Sequence, residues 1–198
     1  MTPPAGAKPP HPDLVVPHVG AWRAWLDANE STSDGVWLLL AKKGTVEPTS
    51  LTYAQALDEA LCSGWIDGQS KRLDDATYKQ RFTPRRARSI WSARNVSKVA
   101  TLIDEGRMRP RGHAEIERAQ ADGRWDRAYP GSATAEAPPD LLAALDAEPE
   151  LAARFAALSK QDRYSRIHPF FTVVSEGARA RRIAQILAEL RDGHRTGG

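Results

Sequence analysis

Hydrophobic positions along this chain change period several times, and each change marks an element. Trp22, Trp25 and Leu26 recur at helical spacing, so residues 19–28 are predicted to form a short amphipathic helix with its aromatic face inward. After turn-forming residues over 29–35, residues 36–41 are an unbroken apolar run of strand length, capped by Lys42 and Lys43, and read as a buried strand. Thr52 followed by Gln55 is a capping-box pattern ahead of Tyr53, Leu57, Ala60 and Leu61, with Gly64 placed to end the helix in a left-handed conformation. Residues 65–72 and 76–82 flank Asp74 and Asp75, which suit a turn, and predict an antiparallel hairpin. Pro84 stops its second strand. Ser89 or Ser92 can cap a following helix bearing Val96, Val99, Leu102 and Ile103 that ends at Gly106, and a shorter helix over 113–121 closes at Gly123.

The pattern also divides the chain. Residues 1–17 hold six prolines and read as a disordered or extended arm with too few apolar residues to offset the entropy of ordering. Residues 18–129 form an α+β core domain. Residues 130–139, rich in Pro, Ala, Ser, Gly and Thr, have a linker's composition. Residues 140–192 carry helical stripes at Leu141, Leu142 and Leu145, then Leu151, Phe155 and Leu158, then Ile183, Ile186, Leu187 and Leu190, and residues 193–198 are a tail. The predicted fold is therefore α+β and mainly helical, with a small, mostly antiparallel three-stranded sheet and a C-terminal helical subdomain.

Composition narrows the functional classes. At 198 residues and 41% hydrophobic content the chain can bury a real core. It has no apolar run long enough for a signal-peptide core or a membrane span, and its single cysteine, Cys62, excludes an internal disulfide and a paired-Cys metal site. A cytoplasmic location is the expectation. The five histidines lack ligand or base context, so no metal is assigned, and the absence of a Gly-rich phosphate loop or dinucleotide fingerprint implies no cofactor.

Charge changes the picture most. Between Asp75 and Asp104 there is no acidic residue, yet Lys79, Arg81, Arg85, Arg86, Arg88, Arg94 and Lys98 fall there among Tyr78, Phe82 and Trp91, while the whole chain is only +3. Positive charge gathered in one place draws anions to it. The Arg pair at Pro84, the start of the next helix and the neighbouring aromatic rings together suit a phosphate or carboxylate carried on a planar group. Immediately upstream, Asp67 sits between Ile66 and Gly68, either as an acid or base or as the partner of an Arg in the basic window. The candidate ligand-binding set is Trp65, Asp67, Gln69, Arg81, Arg85, Arg86, Ser89, Trp91, Ser92 and Asn95. Asp67 is the one candidate catalytic residue.

Several segments resemble the bacterial YdeI/OmpD-associated, or bacteriocin-protection, family. They are residues 61–69, the run Gln80, Arg81, Phe82, Thr83, Pro84, Arg85, and then Ser89, Trp91, Ser92 and Asn95, continuing through Gly106, Arg107 and Met108 to Gly123, Arg124, Trp125, Ala128 and Tyr129. The similarity extends over residues 22–190. Where that family's last helix opens with Lys, Thr, Pro, Glu, Thr, Arg, this chain has Val174, Ser175, Glu176, Gly177, Ala178 and Arg179, keeping Arg179, Arg181, Arg182 and Ile183. The resemblance implies protection against bacteriocins or cationic antimicrobial peptides and a porin partner, with no settled enzymatic activity. The expected function is a stress or antimicrobial-peptide resistance protein that binds a small anionic ligand, a nucleotide or phosphorylated metabolite. The alternatives are nucleic-acid binding through the same basic surface and an enzyme using Asp67.

Overall fold

The structure, a computed structural model, describes residues 11–173 and 175–193. The described residues divide into two compact units, residues 11–91 with 95–127, and residues 92–94 with 128–173 and 175–193.

The first unit is built on a four-stranded mixed sheet in the order β1-β2-β4-β3, formed by β1 (Asp13–Leu14), β2 (Val36–Ala41), β3 (Trp65–Arg72) and β4 (Thr77–Pro84). The expected sheet had three strands and was mostly antiparallel. The fourth strand, β1, pairs parallel with β2 through Asp13↔Trp37 and Leu14↔Leu38. Proline richness hides this strand from a sequence reading, because Pro cannot donate to a ladder. Its carbonyl can still accept, and Pro12 O takes the Trp37 N–H at 2.9 Å while Pro17 O takes that of Ser50 at 2.9 Å.

Alternation along β2 and β4 sorts side chains onto two faces. Val36, Leu38 and Leu40 lie with Phe82, Gln80 and Tyr78 on one face, while Trp37 and Leu39 lie with Arg81 and Lys79 on the other. Helices α1 (Val19–Asn29) and α2 (Tyr53–Cys62) cover the first face. Trp22 packs there against Phe82, Trp25 and Trp65 at centroid distances of 5.7, 5.3 and 6.4 Å. Its indole N–H donates to Ala56 O at 3.1 Å, so this large anchor leaves no polar atom unmet. The capping box at Thr52 and Gln55 is formed, and Gly64, at φ 68°, turns α2 into β3.

α3 (Ala93–Asp104) and α4 (Pro110–Ala121) follow the sheet. Gly112 of α4 lies so close to the end of α2 that a Cβ there would fall 2.2 Å from Cys62 O. Glu59, also on α2, is 1% exposed and is gripped by Arg23, Arg107 and Arg109. Burial alone would raise its carboxyl, but the hydrogen bonds from Arg23 and Arg107 outweigh it and hold the group at about 2. Cys62, one turn further on, is a buried free thiol that burial, together with the Glu59 charge, pushes up to about 11.

The second unit is helical, with α5 (Pro139–Asp146), α6 (Pro149–Ala157), α7 (Lys160–Ile167), a 3-10 turn at His168–Phe171 and α8 (Glu176–Arg191). Its core is Leu141, Leu145, Leu151, Phe155, Ile167, Phe170, Ile186 and Leu190, which follows the leucine stripes of the sequence. Arg179 of α8 donates Nε and Nη2 to the two carboxylate oxygens of Asp140 at 2.7 and 2.8 Å, tying the start of α5 to the start of α8. Residues 1–10 of the arm, Val174 and residues 194–198 of the tail lie outside the described residues.

Candidate functional site

The basic window follows β4, its corner and α3, and these elements send its cations in different directions. Trp65 is fully buried in the Trp22 cluster. Asp67 pairs with Phe82 in the ladder and so shares the helix-facing side, where it accepts the Tyr53 hydroxyl at 2.9 Å. Arg81, one residue along from Phe82, points to the opposite side of the sheet. There it crosses a bulge in β3 at Gly68 and Gln69, and a Cβ on Gly68 would come within 3.1 Å of Arg81 Nε. Gln80 satisfies the carbonyl that the bulge frees, donating Nε2 to Gly68 O at 2.7 Å.

At the corner, Arg85 is 4% exposed, with its guanidinium carbon 3.5 Å from the centroid of the Trp91 ring and Nη1 donating to Ile90 O. Trp91, itself 2% exposed, also meets Trp125 at 4.9 Å. Ser89 accepts the Arg86 N–H on its hydroxyl and an N–H of Arg124 on its carbonyl, which fixes the turn and leaves Arg86 and Arg88 exposed at its tip. Asn95 is buried, Ser92 belongs with the second unit, where it bridges to Tyr129, and Lys98 pairs with Asp58 at 2.6 Å. Of the sequence-derived set, the structure thus brings Arg81 to the sheet's outer side with Gln69 in the bulge beside it, Arg85, Ser89 and Trp91 to the corner, and Trp65 and Asp67 to the helix side.

Two residues outside that set complete the outer side. Lys71 of β3 and Lys79 of β4 are direct register partners, and the Lys71 ammonium stands 4.1 Å over the Trp37 ring. Lys79 reaches Asp13 of β1 at 2.5 Å. With His11 and Pro12 these four side chains line a cleft of about 410 Å³. Lys71 stands before Asp75 and so fell outside the acid-free window, but it sits as far before the hairpin turn as Lys79 sits after it. That symmetry is the signal that would have found it. Among the described residues no group of His, Cys, Asp and Glu could hold a metal ion, and no helix is long and apolar enough to cross a membrane.

Comparison with known proteins divides the chain in a similar way. Residues 14–115, just over half of the chain, match the family model described as a domain of unknown function (DUF8412). Residues 134–193 match the model described as bacteriocin-protection, YdeI or OmpD-associated. The chain therefore belongs to the family of that first domain and carries a YdeI/OmpD-associated, bacteriocin-protection domain at its C-terminal end. The family resemblance drawn from the sequence holds, but the match bearing that name falls on the helical second unit, whereas the central block from Leu61 to Asn95 lies in the other match. No curated protein and no solved structure gives a significant match.

Proposed function

We propose that this chain is a bacteriocin-protection protein that works by holding an anionic ligand, a nucleotide or phosphorylated metabolite, on the outer face of the β3–β4 hairpin. The observation that carries this reading is the pairing of Lys71 with Lys79. Like charges placed directly opposite each other on neighbouring strands destabilise a sheet. Here two ammonium groups share one cleft with the Trp37 ring, Arg81 is the ladder partner of Trp37, and one acid, Asp13, stands against them. A bound anion relieves that repulsion. Arg86 and Arg88 are exposed just beyond the end of β4.

The test is thermal stabilisation by a panel of nucleotides and phosphorylated metabolites in the parent and in Lys71→Gln/Lys79→Gln. Stabilisation should be present in the parent and lost in the double variant, which itself keeps or gains stability. Equal stabilisation of both proteins would overturn the reading. A second reading, single-stranded nucleic acid bound by this unit, is favoured by the further exposed cations Arg86 and Arg88 at the corner after β4. It predicts an affinity that falls steeply with salt, because each phosphate contact releases counterions. A shallow slope with a mononucleotide, and none with oligonucleotides, selects the small ligand.

A further inference from the structure

We propose that the first unit has a second anion site, a cleft between α1, α2 and the α3–α4 turn, that takes a phosphate-sized dianion. The cleft has a volume of about 470 Å³ and is lined by Arg23, Asp27, Glu59, Gly106, Arg107 and Arg109. None of these residues belongs to the sheet face described above, and the two sites stand or fall separately.

Three guanidiniums converge on one carboxylate. Arg23 grips Glu59 with Nε and Nη2 at 2.9 and 2.7 Å, Arg107 Nη2 reaches it at 3.0 Å, and Arg109 Nη2 at 3.1 Å. Neutralising Glu59 requires one of them, and the charge of the other two is met, among the described residues, only by Asp27 and Glu105 at the rim. The balancing acids are weakly placed. Asp27, on Arg109 Nε, is 52% exposed, and Glu105, on Arg107 Nη1, is 47% exposed, so both pairs are rim contacts of little strength. A dianion held at the floor outcompetes them.

Donor supply points the same way. Each guanidinium carries five N–H groups. Arg23 uses Nε and Nη2, Arg107 one N–H on each Nη, and Arg109 its Nε and both Nη, the last including a bond to Glu59 O at 3.3 Å. Fewer than half of the donors are taken. Most of the cost of ordering three long side chains is already met in the folded protein, because Glu59 is immobile in the core and fixes all of them. A ligand that binds to preorganised arginines loses less affinity to ordering. Gly106, on the cleft wall, has nothing within 4 Å of the position a Cβ would take, so the approach is open.

The experiment is calorimetric titration of inorganic phosphate at constant ionic strength balanced with sodium chloride, carried out on the parent and on Lys71→Gln/Lys79→Gln. Saturable binding should persist in the double variant. Added Arg23→Gln or Arg107→Gln should each weaken it at least tenfold, with circular dichroism at the titration temperature showing that each variant keeps the fold of its background even where its Tm falls. Phosphate affinity unchanged in both arginine variants overturns the proposal, as does the absence of saturable binding at tens of millimolar phosphate. Binding in the parent that vanishes in Lys71→Gln/Lys79→Gln also overturns it, and leaves the sheet-face reading standing.

Discussion

Arg85 lies over Trp91, with the guanidinium carbon 3.5 Å from the ring centroid and both residues buried. A cation removed from water this completely is held by the ring's negative face and by the carbonyl of Ile90, and its backbone N–H is bonded to Gly64 O. Its first role is to close the corner between β4 and α3. Arg85→Ala should therefore lower unfolding free energy by about 2 kcal/mol or more. Arg85→Lys should recover little of it, since an ammonium cannot spread over the ring. Arg86→Ala, at the exposed tip, should stay within about 0.5 kcal/mol of the parent. Urea midpoints measure all three.

The opposed lysines give a test with the reverse sign. Lys71→Glu turns a like-charge cross-strand pair into an attractive one, and the gain expected for such a pair is about 0.2–1 kcal/mol. The same change should abolish anion-induced stabilisation. A variant that is more stable and yet inactive in binding separates the function of this face from the fold.

Glu59 predicts the acid limb of the stability curve. Its carboxyl stands at about 2 in the folded protein, against about 4.3 in an unfolded chain. The unfolded state therefore binds the proton first as pH falls. The stabilisation is complete above pH ~5 and is lost as pH approaches the folded value, a change on the order of 3 kcal/mol. Glu59→Gln should flatten stability across that window, and should destabilise the protein at neutral pH by leaving three guanidiniums around an uncharged amide. Denaturant midpoints from pH 7 down to pH ~3 follow both effects.

Two glycines should each lose stability on replacement by alanine, but for different reasons. Gly112→Ala forces a methyl group to within 2.2 Å of Cys62 O, a backbone atom with no room to move, and overpacking of this kind costs about 1–3 kcal/mol. Gly106 has open space around it and a φ of 65°, so Gly106→Ala carries only the left-handed backbone penalty of about 1 kcal/mol. Thermal melts of the two variants compare them directly.

In the second unit, Arg179→Ala removes the fork that holds Asp140 and a contact 5.0 Å from the Phe170 ring. Both partners are partly exposed, so a loss of about 1 kcal/mol is expected, short of unfolding. Hydrogen bonds from Arg179, opposed by slight burial, hold the Asp140 carboxyl below its usual range. Asp140→Asn should therefore remove an increment of stability present at neutral pH and absent in acid. Chemical denaturation at pH 7 and in acid checks this.

Local signals carried much of the architecture. The Thr52–Gln55 capping box, the apolar run Val36–Ala41, the hairpin around Asp74 and the leucine stripes of α5, α6 and α8 depend on neighbours a few residues away, and they lie where the sequence places them. Asp74 shows why such signals are reliable. Its carboxylate accepts the backbone N–H groups of Ala76 and Thr77, and those bonds draw its carboxyl down whatever else surrounds it. The β1 strand was not legible, because its hydrogen bonds use proline carbonyls and a partner more than twenty residues away.

The sequence by itself determined that positive charge is concentrated between Asp75 and Asp104, and which elements carry it. The tertiary structure decided which of those cations meet water. Alternation puts Lys79 and Arg81 on the side of the sheet away from Phe82 and α1, while packing at the corner buries Arg85 against Trp91. The hairpin register brings Lys71 opposite Lys79, and the folding of three distant segments gathers Arg23, Arg107 and Arg109 around Glu59. Charge is a property of each residue, but burial and pairing depend on contacts between residues far apart in the chain, so only the folded structure could distribute the roles.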